Sequence, residues 1–246
     1  MNSLVKKVIE AHGGLEPWSS VDKISATFRA SGSGFKQRGP LGEALTQAPM
    51  QVHIATKVKE VTFKPFLSED QVGIYRIDRT WIESKGGTLV ESLDHPREVL
   101  EQLPQGAPWT GPQLIYFLGY SLWMYHTLPY SFLEPGIVCE NAEPWSEGGE
   151  TWQGLKVTYP DSYPAHSKEQ IHYFDSEGIM RRQDYTVDVR QNLKIAHYML
   201  DHQVVDGFVF ARKRRICLRG EEGQPLWERT LIAADLENFA ISRVRR

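Results

Sequence analysis

A chain of 246 residues is long enough for one sizeable core, and 41% hydrophobic with 24% charged residues is the make-up of a folded globular protein, not a disordered or fibrous one. A net charge of −3 gives no electrostatic reason to expect nucleic acid or an acidic membrane as a partner. Only Cys139 and Cys217 are present, so no disulfide framework replaces the core, and two free buried thiols are expected.

The opening residues, MNSLVKKVIEAHGG, lack the charged-then-apolar run of a secretory signal, which makes the cytoplasm the expected location unless a leader has been removed, when it would be the periplasm. Leu4, Val5, Val8 and Ile9 instead fall at helix spacing, with Asn2 or Ser3 as cap and Gly13 beyond the end. Pro17 opens a turn through Trp18. Ile24, Ala26, Phe28 and Ala30 then alternate with Ser25, Thr27 and Arg29, the period of a half-buried strand. GSGFKQ from Gly32 lacks a third glycine and any βαβ context, and it is read as a flexible loop. Val52 to Val58 alternates again, and further strands are expected at 61–66, 72–79 and 81–90, the last bent at Gly86-Gly87.

In DHPREVLEQL, Asp94 stands as a cap, Pro96 lies in the first turn, and Val99, Leu100 and Leu103 share a side. Thr110 and Gln113 have capping-box spacing and open a helix from Pro112 to His126. From Glu150 onward an antiparallel meander is expected, with strands at 151–159, 168–175, 179–189, 193–204, 208–218 and 226–238. The connections, among them Asp175-Ser176-Glu177-Gly178 and Arg190-Gln191-Asn192, are too short for crossover helices. No linker or repeat interrupts the chain, so a single domain over 1–246 is expected.

The stretch LIYFLGYSLWMY, from Leu114 to Tyr125, is too short to cross a bilayer, which takes about 20 residues. A helix apolar on all sides is a buried one. Leu114, Leu118, Leu122 and Tyr125 share one side; Tyr116, Tyr120 and Trp123 share the other. Each ring on that second side carries a polar atom that needs a partner when buried. Lining a cavity would meet that need, and so would ordinary hydrogen bonds to neighbouring strands.

Candidate chemistry is sparse. GYSLW around Ser121 fails the nucleophile-elbow pattern and sits inside a helix. With two-residue hairpin loops, His172 and His202 come level with Arg181 two strands apart, too far for a metal, and His197 and His202 point to opposite faces. The same register aligns Arg182, Asp201 and Arg212, beside Asp184 and Arg214, as a solvated outer face. Alternation splits RKRR, from Arg212 to Arg215, between two faces, which argues against a phosphate-binding patch. His126 is read as a C-terminal dipole partner of its helix.

The order of parts is AHGGLEPW after the first helix, the strand VDKISATFRASG, further strands, central helices, then a meander containing IHYFDSEGIMRRQDY. This order resembles the superfamily of the lipoprotein carriers LolA and LolB and the mycobacterial LppX proteins. The resemblance implies an incomplete β-barrel whose helices plug an apolar cavity. The expected fold is therefore mainly β (α+β): a strongly curved antiparallel sheet wrapped around central helices, with an N-terminal helix. A lipocalin-like barrel is the rival, but lipocalins place their main helix late.

The expected function is binding or carriage of a lipid or other apolar small molecule, with no cofactor, metal, nucleic acid or transmembrane segment. Tyr116, Tyr120 and Trp123 are the expected ligand residues, faced from the sheet by Phe28 and by Tyr185 or Tyr198. The alternatives are an enzyme acting on an apolar substrate through His172, His202 and Asp201, and an interaction module that uses an exposed sheet edge.

Overall fold

A computed structural model describes residues 2–190 and 192–244. Gln191, in the expected turn Arg190-Gln191-Asn192, lies outside the described residues. In chain order the first elements are α1 (Ser3–Ala11), α2 (Leu15–Ser19), β1 (Val21–Ser31), α3 (Ser33–Lys36), α4 (Pro40–Ala44), β2 (Met50–Ala55), β3 (Glu60–Lys64), β4 (Gln71–Arg76), β5 (Arg79–Ser84) and β6 (Leu89–Asp94). Then come α5 (Pro96–Glu101), α6 (Gly111–Thr127), β7 (Val138–Glu147), β8 (Glu150–Thr158), β9 (Glu169–Phe174), β10 (Met180–Val187), β11 (Leu193–Val205), β12 (Phe208–Arg219) and β13 (Pro225–Arg243).

All thirteen strands form one antiparallel sheet in the order β6-β5-β4-β3-β2-β1-β13-β12-β11-β10-β9-β8-β7. The edge strands β6 and β7 do not pair with each other, so the sheet curves without closing, which is the expected incomplete barrel. Each short connection forces its two strands to pair antiparallel, and β1 meets β13 to join the two halves.

Inside the curve lies α6, buried along its whole length. Thr110 and Gln113 close its capping box, with the Gln113 Oε1 accepting from the Thr110 amide at 2.8 Å. The helix packs against β2 to β6, in the N-terminal half of the sheet. At Gly119 the contact is so close that a Cβ would stand 2.2 Å from Cγ of Tyr75. α1 closes one end of the barrel with Leu4, Val5, Val8 and Ile9 buried, its Asn2 cap accepting from the Leu4 amide at 2.8 Å. Trp18 stacks on Tyr130 at 4.0 Å beneath it. Cys139 and Cys217 are both free thiols.

Four local expectations fail. The stretch 81–90 is two strands, β5 and β6, with a turn where a bend was expected. GSGFKQ holds the helical turn α3, and β7 escapes the sequence reading altogether. The cap of α5 is His95 in a left-handed conformation, while Asp94 ends β6. The meander is also out of its expected register. A 3-10 turn at Asp188–Arg190 lengthens the β10–β11 loop, so Arg182 pairs with Tyr198 and not with Asp201.

That shift changes what Arg182 does. Its side chain is fully buried on the outer face of the sheet, under Trp145, whose ring centre is 4.2 Å from the guanidinium carbon. Asp184 holds it through two bonds of 2.6 and 2.8 Å, Tyr198 Oη accepts at 3.0 Å, and Arg219 reaches the same carboxylate at 2.9 Å. Around this network Trp152, Tyr173, Tyr198 and Cys217 form a second, smaller core outside the barrel. Of the expected solvated face, Asp201 and Arg212 stay at the surface and paired at 3.7 Å, Arg214 faces the interior, and Arg182 with Asp184 forms a buried ion network because the β7–β8 and β12–β13 hairpins cover it.

Candidate functional site

The helix α6 and the C-terminal half of the sheet do not meet fully. Between them is a cleft with about 60 Å³ of free volume. The leucine side of the helix supplies Leu118, Leu122 and Tyr125, with Phe117 and Ser121 beside them. β1 contributes Phe28, β10 Tyr185 and Val187, and β11 to β13 the remaining wall, including Ile195, Arg214 and Ile216. α3 and the turn after it cover the cleft with Phe35 and Arg38.

The expected ring side of α6 is packed solid. Trp123 Nε1 donates to the carbonyls of Ala55 and Val58 at 3.0 and 3.2 Å. The hydroxyl of Tyr120 lies 2.9 Å from His166 Nδ1, and the Tyr116 ring packs 6.0 Å from Tyr75 and 5.2 Å from Tyr120. The polar atoms of Trp123 and Tyr120 thus find protein partners, the second of the two ways open to them. Of the six expected ligand residues, Phe28 and Tyr185 border the cleft and Tyr116, Tyr120 and Trp123 face away from it. Tyr198 is on the outer face of the sheet, bonded to Arg182 and Glu147. The β10–β11 register places its parity opposite to that of Ile195 and His197.

The trio proposed for an enzyme is not assembled. His172 comes level with Gln183 and His197 on the buried inner face. Asp201 is exposed at a positive-φ irregularity and faces Arg212 and Lys213 at 3.7 and 3.3 Å. The irregularity also breaks the alternation used to separate His197 from His202. His202 borders a small cavity with Tyr125 and Arg214, its Nε2 3.0 Å from the Met180 carbonyl. Among the described residues no group of three His, Cys, Asp or Glu stands close enough to hold a metal.

A polar aromatic network borders the cleft. Tyr125 Oη lies 2.5 Å from His166 Nε2 and 3.1 Å from Tyr185 Oη, and the His166 ring stacks on Tyr185 at 4.2 Å. Burial drives the imidazoles of His126, His166 and His172 down to about 3, so all three are neutral at physiological pH. His126 is therefore no cation at the helix end; its Nδ1 bonds the Leu122 carbonyl at 2.7 Å.

Neutral burial sets an acid limit on stability. These folded-state values lie below the ordinary histidine value of 6.5, so the unfolded chain binds more protons once the pH falls below 6.5. The stabilisation is complete above 6.5 and is lost as the pH falls toward 3, by up to about 1.4 kcal/mol per pH unit for each ring. Urea unfolding at pH 7.5 and pH 5.0 should show a clearly lower midpoint at pH 5.0; equal midpoints would contradict the buried neutral rings.

Two buried arginines complete the site, and sequence reasoning singled out neither for it. Arg38 is 4% exposed, with its guanidinium 4.3 Å from the ring centre of Phe117 and 4.6 Å from that of Trp109. Arg214 is 5% exposed, lies 4.7 Å over the Tyr125 ring and donates to the Tyr125 carbonyl at 3.2 Å. Arg214 has the parity of Phe208, Phe210 and Ile216, three buried apolar residues of β12, and that parity is the signal that finds it.

No protein-family profile matches the chain, and no curated protein sequence matches it. Among solved structures, a LolA superfamily protein from Nitrosomonas europaea aligns over 99% of this chain and 94% of its own, at 8% identity and a TM-score of 0.53. A domain from Vibrio parahaemolyticus described as outer membrane lipoprotein-sorting covers 97% and 91%, at 8% identity and a TM-score of 0.52. The Mycobacterium tuberculosis lipoprotein LppX aligns at a TM-score of only 0.30, with 7% identity over 97% of this chain and 96% of its own. No described helix is long and apolar enough to cross a membrane. The open sheet, the helix buried in its curve and the near-complete alignments show that this chain shares its fold with the Nitrosomonas and Vibrio proteins.

Proposed function

We propose that this protein binds a lipid or other apolar small molecule in the cleft on the leucine side of α6. The observation that carries the reading is the gap itself: apolar side chains of helix and sheet face each other there without interlocking. The lipoprotein-sorting description of the Vibrio domain, a protein of the same fold, agrees with it.

The free volume of about 60 Å³ is well below the roughly 150 Å³ that accommodates benzene in an engineered apolar cavity. An alkyl chain enters only when the cover moves. α3 lies between Gly32 and Gly39, whose φ values of 115° and 87° are costly for any other residue, and these two positions are the natural hinges. The cover is thin: one helical turn, with Phe35 as its apolar anchor.

The test is occupancy. Solvent extraction of the purified protein followed by mass spectrometry should release an apolar ligand, and a hydrophobic dye should gain fluorescence on binding the emptied protein. Leu122→Trp, which fills the cleft, should weaken dye binding at least tenfold, whereas Tyr116→Phe, on the opposite side of the helix, should leave it within twofold. Absence of both ligand and dye binding would remove the proposal.

A further inference from the structure

The geometry points to an acidic amphiphile as the ligand: an apolar body ending in a carboxylate or phosphate that is received by Arg38 and Arg214. This rests on the cleft being the binding site and specifies which molecules enter it. The lining holds three arginines, Arg38, Arg190 and Arg214, and not one aspartate or glutamate. Arg38 and Arg214 are each more than nine-tenths buried, and among the described residues neither has a carboxylate within ion-pair distance. The Nε of both is buried with no hydrogen-bond acceptor.

Elsewhere the same chain shows how it satisfies a buried guanidinium. Arg182 has a bidentate aspartate, a tyrosine hydroxyl and a backbone carbonyl. Among the described residues, the only acceptor at Arg38 is the Gly34 carbonyl and the only one at Arg214 is the Tyr125 carbonyl; aromatic rings supply the rest. Ring faces attract a cation but leave its N–H groups unmet. Removing a cation from water costs several kcal/mol unless charge and hydrogen bonds are returned to it. An anionic head returns both, and the planar fork of arginine suits carboxylate and phosphate oxygens.

Burial lowers Arg38 to about 9 and Arg214 to about 10, and both stay cationic at neutral pH. Arg38 sits next to the cover and Arg214 on the opposite wall, in β12. A head bound by Arg38 would also hold the cover down, coupling occupancy to closure.

The full chain is titrated with dodecanoate, its methyl ester and dodecyl phosphate, each below its micelle concentration, by displacement of a hydrophobic dye. Dodecanoate or dodecyl phosphate should bind at least tenfold more tightly than the ester. A preference for the phosphate assigns a phospholipid-like head, and one for the carboxylate a fatty acid. Arg38→Met and Arg214→Met should each reduce the preference for the anion over the ester at least fivefold. Equal binding of ester and anions by the unaltered chain, or a preference that survives both substitutions, overturns the acidic ligand and leaves the apolar cleft standing. Failure of all three to displace a dye that binds overturns the acidic ligand, and absence of dye binding together with absence of an extracted ligand overturns both. The comparison of ligands on the unaltered chain decides the matter even if a variant fails to fold.

Discussion

Gly119→Ala lowers the stability of this protein by about 1–3 kcal/mol, and Gly119→Val by more, although alanine is by itself the better helix former by up to about 1 kcal/mol. The new methyl group would sit 2.2 Å from Cγ and 2.3 Å from Cβ of Tyr75, where no side chain fits without moving β4 away from α6. Tyr75 cannot retreat, since its ring is fully buried and packed on Tyr116. For a chain of this size each kcal/mol corresponds to about 2–4 °C of Tm. A double-mutant cycle makes the cause testable: in a Tyr75→Gly background, which removes both contacting atoms, Gly119→Ala should be neutral or stabilising. A loss of the same size in both backgrounds would exclude the clash.

The second large effect lies at Arg182. Arg182→Ala should cost about 3–5 kcal/mol, the penalty of breaking a buried ion pair from one side, read as a fall in the urea midpoint. Asp184 keeps Arg219 at 2.9 Å but loses its bidentate partner, and Trp145 loses the cation beneath its ring. The pair Arg182→Met with Asp184→Leu should recover most of the loss, because apolar residues of similar volume replace buried ion pairs at little or no net cost. A surface ion pair such as Lys168–Asp161, with side chains 62% and 86% exposed, should change stability little when broken. An Arg182→Ala effect no larger than that would show that the outer core contributes nothing.

Much of the fold can be read from the chain because burial imposes a period. The alternation from Ile24 to Ala30 marks β1, and a run apolar on every side marks α6 as interior before any contact is known. Loop geometry has no such period. Replacing a two-residue turn by the 3-10 turn at Asp188–Arg190 moves every pair along β10 and β11 by three residues. That one difference puts Tyr198 outside the barrel beside Arg182 and brings His172 level with His197. The expected ligand residues of α6 turn away from the cleft for a different reason. Tyrosine and tryptophan advertise a polar atom, but Trp123 and Tyr120 satisfy theirs within the protein, while the open space lies beside leucines that carry no such sign. Arg38 was hidden because only the folding of α3 over Phe117 and Trp109 gives it a neighbourhood.

The small outer core has a mechanical consequence. Trp145, near the tip of the β7–β8 hairpin, packs against Gly223 in the β12–β13 turn, and Arg182 donates to the Gly223 carbonyl from the strand between them. Three separate hairpins are thereby stapled at their ends, and the wall they form resists flexing. Compliance is left to the opposite side of the cleft, where a single helical turn hangs between two glycines. Breathing of the interior is directional: one flank is a fixed anvil, and only the strap above it yields.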